Sequence, residues 1–154
     1  MEEIKYGYNG QKYELEEMNL VNYYEEYFMK EIELESNVFY EIRKNNEIIP
    51  YKLIESTEEE LIKIRKYFNQ YKESFFFLLN DNEIVWSILI IKNYIQSLAI
   101  SKKYQRKYYA EKLLKFAINY ILDMGYKKVE LHILNNNIAA MKLYEKLGFK
   151  KEVT

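Results

Sequence analysis

Between residues 74 and 100 the chain carries three apolar runs, Ser74 to Leu79, Ile84 to Ile91 and Tyr94 to Ile100, separated only by Asn80-Asp81-Asn82 and Lys92-Asn93. Connections that short cannot hold a crossover helix, so the three runs pair as an antiparallel meander. Directly downstream lies the clearest helical pattern of the chain: Ala110, Leu113, Leu114, Ala117, Ile118, Ile121 and Leu122 recur at i, i+3, i+4 and i+7. Gly125 stands where a helix C-cap belongs. Val129, Leu131 and Ile133 then alternate as a strand, which puts Glu130 and His132 on its other face. A last helix runs from about Ile138 to Leu147 and ends at Gly148. Meander, helix, strand, helix predicts an α+β (mixed α/β) sandwich with helices laid on a sheet.

The first half is less sharply patterned. Residues 2–15 alternate weakly around Gly7 and Asn9-Gly10, which predicts a short β-hairpin. From Asn19, the apolar positions Leu20, Tyr24, Tyr27, Phe28 and Ile32 predict a helix with glutamates between them. Strands are expected over Val38 to Arg43 and Ile48 to Ile54, joined by a turn at Asn45-Asn46. Thr57-Glu58-Glu59-Glu60 reads as a capping box opening a helix with Leu61, Ile64 and Phe68 on one side. One proline, four glycines and no linker-like stretch predict a single domain over 1–154.

Composition excludes several chemistries. The absence of cysteine removes disulfides, thiolate metal sites and a cysteine nucleophile, and suits a reducing cytoplasm. A single histidine, His132, leaves little from which to build a transition-metal site, so no metal is expected. No charge-free run approaches the ~18–20 apolar residues of a membrane helix, and Met1-Glu2-Glu3-Ile4-Lys5 lacks a secretory pattern. A cytoplasmic protein without a membrane partner is expected. The net charge of −1 conceals a division: residues 1–60 hold sixteen acids and six bases (net −10), and the remainder eight acids and seventeen bases (net +9). Such a split suits one anionic and one cationic partner, or two halves that neutralise each other.

The strand ending at Ile100 feeds the helix near Ala110 through a loop containing Lys102, Lys103, Arg106 and Lys107. A helix N-terminus after a strand is a ready anion site, although such a basic run is by itself often only a solvated loop. Within the loop, Tyr104-Gln105-Arg106-Lys107-Tyr108-Tyr109-Ala110-Glu111 resembles the acyl-CoA-binding segment of the GCN5-related N-acetyltransferase (GNAT) superfamily, whose pattern is Gln/Arg-x-x-Gly-x-Gly/Ala. Gln105 and Ala110 match its ends, and Tyr108 replaces the central glycine. Downstream, Asn137-Ile138-Ala139-Ala140-Met141-Lys142-Leu143-Tyr144-Glu145-Lys146-Leu147-Gly148-Phe149 is similar to that family's closing segment without departure. The resemblance covers roughly residues 48–152. It makes 48–154 a GNAT-like core with a mostly antiparallel sheet, and leaves the acidic segment 1–47, hairpin plus helix, outside it.

The resemblance implies a direct acetyl transfer from acetyl-CoA to an amine. Main-chain amides of Arg106, Lys107, Tyr108, Tyr109, Ala110 and Glu111, with Gln105, would hold the pyrophosphate. Those of Leu98, Ala99 and Ile100 would hold the pantetheine and polarise the thioester. Asn137 would bind the pantetheine arm, or cap the last helix, or both. Tyr144 would bind beside the cofactor and protonate the departing thiolate; the competing reading is a core aromatic. His132, five residues before Asn137, occupies the position where many relatives carry a glutamate, and would accept the amine's proton; the competing reading is an ordinary strand histidine. Gln96 and Tyr94 are further candidates on the strand before the loop. The acceptor would be a primary amine of a small molecule or a protein N-terminus. The alternative is a non-catalytic domain of the same fold, with Tyr108 obstructing the CoA site. Nucleic acid is not expected as a partner, because only Tyr104, Tyr108 and Tyr109 flank the basic loop. The aromatic content leaves a homodimer open.

Overall fold

The computed structural model describes residues 3–105 and 108–152. Among these residues, seven strands form one sheet in the order β2-β3-β4-β5-β6-β1-β7. They are β1 (Glu3–Tyr8), β2 (Leu20–Asn22), β3 (Phe75–Asn80), β4 (Glu83–Ile91), β5 (Tyr94–Ile100), β6 (Val129–Leu134) and β7 (Lys150–Lys151). All neighbours run antiparallel except β5 and β6. The α-helices of the described residues are α1 (Phe28–Val38), α2 (Tyr40–Asn45), α3 (Glu58–Gln70), α4 (Tyr109–Asp123) and α5 (Ile138–Lys146). No helix among the described residues is long and apolar enough to cross a membrane.

The predicted meander is β3-β4-β5, with Leu78↔Trp86 and Ser87↔Ala99 among its registers. Alternation along its strands feeds two cores, one on each face of the sheet. Trp86, Ile88, Ile95, Leu131 and Ile133 pack with α4 residues such as Leu113 and Ala117, while Phe75, Phe77, Leu89 and Ala99 pack with Phe28, Ile32 and Phe68. The amphipathic pattern of α4 buries Leu113, Leu114, Ala117, Ile118 and Ile121. The capping box of α3 forms: Glu60 N donates to Thr57 Oγ1 at 3.2 Å, and Thr57 N donates to Glu60 Oε1 at 3.1 Å.

Three expectations for the first half need correction. The Asn9-Gly10 hairpin does not form: β1 pairs with β6 (Tyr6↔Leu131) and β7 (Gly7↔Lys150), so its partners come from the far end of the chain. Leu20 belongs to the edge strand β2, paired with Leu78, and the helix begins only at Phe28. The strands expected over Val38–Arg43 and Ile48–Ile54 are instead α2 and an irregular segment with a single 3-10 turn, Leu53–Glu55. Side chains of α1 and α2 hold that segment in place of a ladder. Ile54 N donates to Ser36 Oγ at 2.9 Å and Arg43 Nε to the Pro50 carbonyl at 2.6 Å. The β-branched and aromatic residues of this stretch carry strand propensity, but packing against the second core overrides it.

Candidate active site at the opening between two parallel strands

Strands β5 and β6 pair only at Tyr94↔Glu130, where Glu130 N donates to the Asn93 carbonyl at 2.9 Å. A bulge in β5 sits just beyond: Leu89 faces Ser97 and Ile90 faces Ile95, so Gln96 is the extra residue. Past that point β5 has no paired strand on its β6 side among the described residues.

A cavity of about 500 Å3 fills this opening. Ile95, Leu131 and Tyr144 from one core and Phe68, Phe75 and Leu89 from the other line the same space. The cavity therefore passes through the sheet where the strands part. A second cavity of about 500 Å3 shares Leu98 and Ala140 with the first and runs to the N-terminus of α4, along Gln105, Tyr108, Ala110 and Glu111. Together they make a groove leading into a chamber.

The groove is largely a main-chain structure. The first amides of α4 lack internal acceptors, and 15 residues of helix align behind them. Tyr108, at the N-cap, adopts the left-handed conformation (φ 64°, ψ 8°) that a glycine takes without cost, and its ring is 77% exposed. It nonetheless lines the groove. The Gln105 amide donates to the Ile100 carbonyl at 3.1 Å, folding the loop back onto β5. Glu111 would place a negative charge at this anion-favouring end, but Lys146 (3.1 Å) and Lys115 (3.3 Å) pair with it and hold its carboxyl below the usual range. Lys103 is engaged with Glu83 at 3.1 Å. Arg106 and Lys107 lie outside the described residues. Of the β5 trio, Leu98 lines both cavities, while the Ala99 side chain is buried in the opposite core. Tyr109 turns its ring against Tyr104.

Tyr144, His132 and Asn137 all line the chamber. The closing segment explains how Tyr144 is held. Gly148 (φ 99°) ends α5, Phe149 N donates to the Tyr144 carbonyl at 2.9 Å, and Gly148 N donates to the Glu145 carbonyl at 3.1 Å. This is a Schellman closure, and the accompanying apolar contact is Phe149 against Tyr144, ring centroids 5.8 Å apart. Tyr6 packs edge-on against the same ring at 6.3 Å. The Tyr144 hydroxyl has no hydrogen-bond partner among the described residues, and burial pushes its pKa up to about 12. Both readings of Asn137 are compatible with its position: its Oδ1 accepts from Ala140 N at 3.4 Å as a helix cap, and the residue borders the cavity. His132 stands on the exposed face of β6, its Nδ1 sharing a hydrogen bond with the Tyr94 hydroxyl. Gln96 borders the chamber as well.

Sequence reasoning missed the far wall. Glu35, Phe39 and Ile42 from α1 and α2, with Tyr67 from α3, complete the chamber. Behind Glu35, Glu31 is fully buried and accepts from Ser87 Oγ at 2.9 Å. One signal was present: Phe28, Ile32, Glu35 and Phe39 share a helical stripe, so a glutamate occupies an apolar position.

Known proteins carry the same architecture. An acetyltransferase of the GNAT family from Colwellia psychrerythraea superposes with a TM-score of 0.71 over 97% of this chain and 52% of its own, at 15% identity. The N-acetyltransferase PaiA of Thermoplasma acidophilum in complex with coenzyme A gives 0.58 over 90% and 93%, at 18% identity. N-alpha-acetyltransferase 30 of Schizosaccharomyces pombe is 28% identical over 94 residues, 55% of this chain and 63% of that protein. This chain spans 63% or less of the length of such curated relatives. The sequence pattern of the acetyltransferase (GNAT) family matches residues 37–149, close to three-quarters of the chain, and covers β3 to α5, the groove and most of the chamber. This chain belongs to the acetyltransferase (GNAT) family.

Proposed function

We propose that the protein transfers an acetyl group from acetyl-CoA to a primary amine, borne by a small molecule or a protein N-terminus, by direct attack. The observation that carries this reading is the continuity of groove and chamber, which meet at Leu98 and Ala140, with Tyr144 lining the chamber. The residues present fit the donor: the first-turn amides of Tyr109, Ala110 and Glu111 and the left-handed turn at Tyr108 suit a phosphate, and the open edge of β5 at Leu98 to Ile100 suits an amide-bearing arm. Bound there, acetyl-CoA supplies the acetyl group and a thiolate leaving group.

Each remaining role falls to this chain's own atoms. Amides on the β5 edge polarise a carbonyl placed in the opening. His132, oriented by Tyr94, takes the ammonium proton, and Gln96 borders the path of a bridging water. Tyr144 holds its proton at neutral pH because burial disfavours the phenolate, so it serves as an acid and not as a base. Asn137 orients the arm from the start of α5.

A second reading, a fold whose groove is closed by Tyr108, rests on that ring bordering the groove. One experiment separates the two. Acetylation of a panel of primary amines and free-amino peptides, followed by mass spectrometry, is expected for the wild type and reduced about 100-fold or more in kcat for Tyr144→Phe. Unaltered kcat in Tyr144→Phe removes the acid role. No product with any amine, together with no binding of acetyl-CoA, favours the closed groove.

A further inference from the structure

The Glu31–Glu35 pair is unexplained by the roles above. Both are on α1, one turn apart, and of the two Glu35 lines the chamber. Glu31 is 0% exposed; its Oε2 accepts from Ser87, and its Oε1 has no donor among the described residues. Beside that orphaned oxygen, the Glu35 carboxyl acts on Glu31 electrostatically. Two neighbouring buried carboxyls oppose each other's ionisation, so the pair does not hold two negative charges.

Among the described residues, neither glutamate takes part in an ion pair. Arg43 on α2 is the cation that acts on Glu35, and its Nε is spent on the Pro50 carbonyl at 2.6 Å. Burial raises both carboxyls above their ordinary range, Glu31 most strongly, which registers how poorly the site solvates an anion. A buried charge is normally paired or neutralised, and Glu35 is the one carboxylate among the described residues that lines the chamber. The surrounding wall is apolar and aromatic: Phe39, Ile42, Tyr67, Phe68 and Phe75.

We propose that Glu35, backed by Glu31 and Ser87, is the carboxylate that receives the ammonium group of the acceptor, and that the acceptor is a monoamine carried on an apolar or aromatic body. The inference deepens the acetyltransferase reading and rests on it for the identity of the chamber as the acceptor side. A single lining carboxylate within apolar walls selects one ammonium group and leaves the further charges of a polyamine or an aminosugar without partners. The ammonium exchanges its water shell for Glu35 and the neighbouring rings, which favours a cation over a neutral molecule of the same shape.

The test is calorimetric titration with phenethylamine and with its uncharged counterpart 2-phenylethanol, in the absence of acetyl-CoA, on the wild type, Glu35→Gln and Glu35→Asp. The wild type is expected to bind the amine at least tenfold more tightly than the alcohol. Glu35→Gln abolishes that preference and Glu35→Asp restores part of it, with thermal unfolding confirming that each variant is folded. Equal affinity for the two probes, no binding of either, or a preserved preference in folded Glu35→Gln overturns the proposal. The wild-type comparison decides the matter even where a variant fails to fold. Acetyl-CoA is titrated in parallel. Binding of acetyl-CoA without amine preference defeats this proposal alone, whereas amine preference without acetyl-CoA binding defeats the acetyltransferase reading alone.

Discussion

The groove beside α4 takes its polar groups from the main chain, at the first turn of the helix and along the open edge of β5. The chamber that passes through the sheet takes them from side chains: Glu35, His132, Asn137 and Tyr144. The difference sets what each can tolerate. A main-chain site needs only the right backbone path, and Tyr108 supplies it at φ 64° with its ring turned to solvent, although the related pattern has glycine there. A side-chain site changes character with each substitution, so its ligand is set by residues such as Glu35 that no backbone requirement fixes.

The sharpest way to break this comparison is to fill one half and leave the other. Ala110→Trp places an indole in the groove and is expected to weaken acetyl-CoA binding by about 30-fold or more, ~2 kcal/mol, while phenethylamine binding is kept. Loss of both, in a folded variant, would mean that groove and chamber are not separate subsites.

A smaller effect tests the buried pair. The folded-state pKa values of Glu31 and Glu35 lie above their unfolded values, so the stability they contribute is present at low pH and is lost as pH rises through the folded values. The facing groups, Arg43, Tyr67 and Ser87, do not cancel this, because desolvation is the largest cause for both glutamates. Glu31→Gln removes one ionisable member and keeps a partner for Ser87. It is expected to raise the melting temperature at pH 8 by about 3 °C, on the order of 1 kcal/mol, and by less at pH 5. A variant with the wild type's pH dependence would show that the two carboxyls do not oppose each other's ionisation.

The division between main-chain and side-chain sites also explains what the sequence discloses. Short turns and the 3.6-residue pattern of α4 specify the meander and its cover. The segment from Asn137 to Phe149 discloses the Tyr144 position because a helix cap, a Schellman glycine and the aromatic behind it recur together for one geometric reason. The chamber's far wall has no such spacing. Glu35 stands among many glutamates of the acidic first third, and the residues of α2 carry strand propensity that only packing reverses. The partners of β1 could not be read locally either, since Tyr6 pairs with Leu131 and Lys151 across most of the chain.

The smallest expected change is in the donor site of Tyr108→Gly. Relief of the left-handed strain, about 1 kcal/mol, is partly offset by the greater freedom of an unfolded glycine, so acetyl-CoA affinity should move by no more than about threefold. The direct test of the whole account is therefore calorimetric titration of acetyl-CoA into the wild type with Tyr108→Gly beside it. The account predicts micromolar binding by both. Binding by Tyr108→Gly alone would show a groove closed by the tyrosine ring, and no binding by either would contradict the assignment of the groove to an acyl donor.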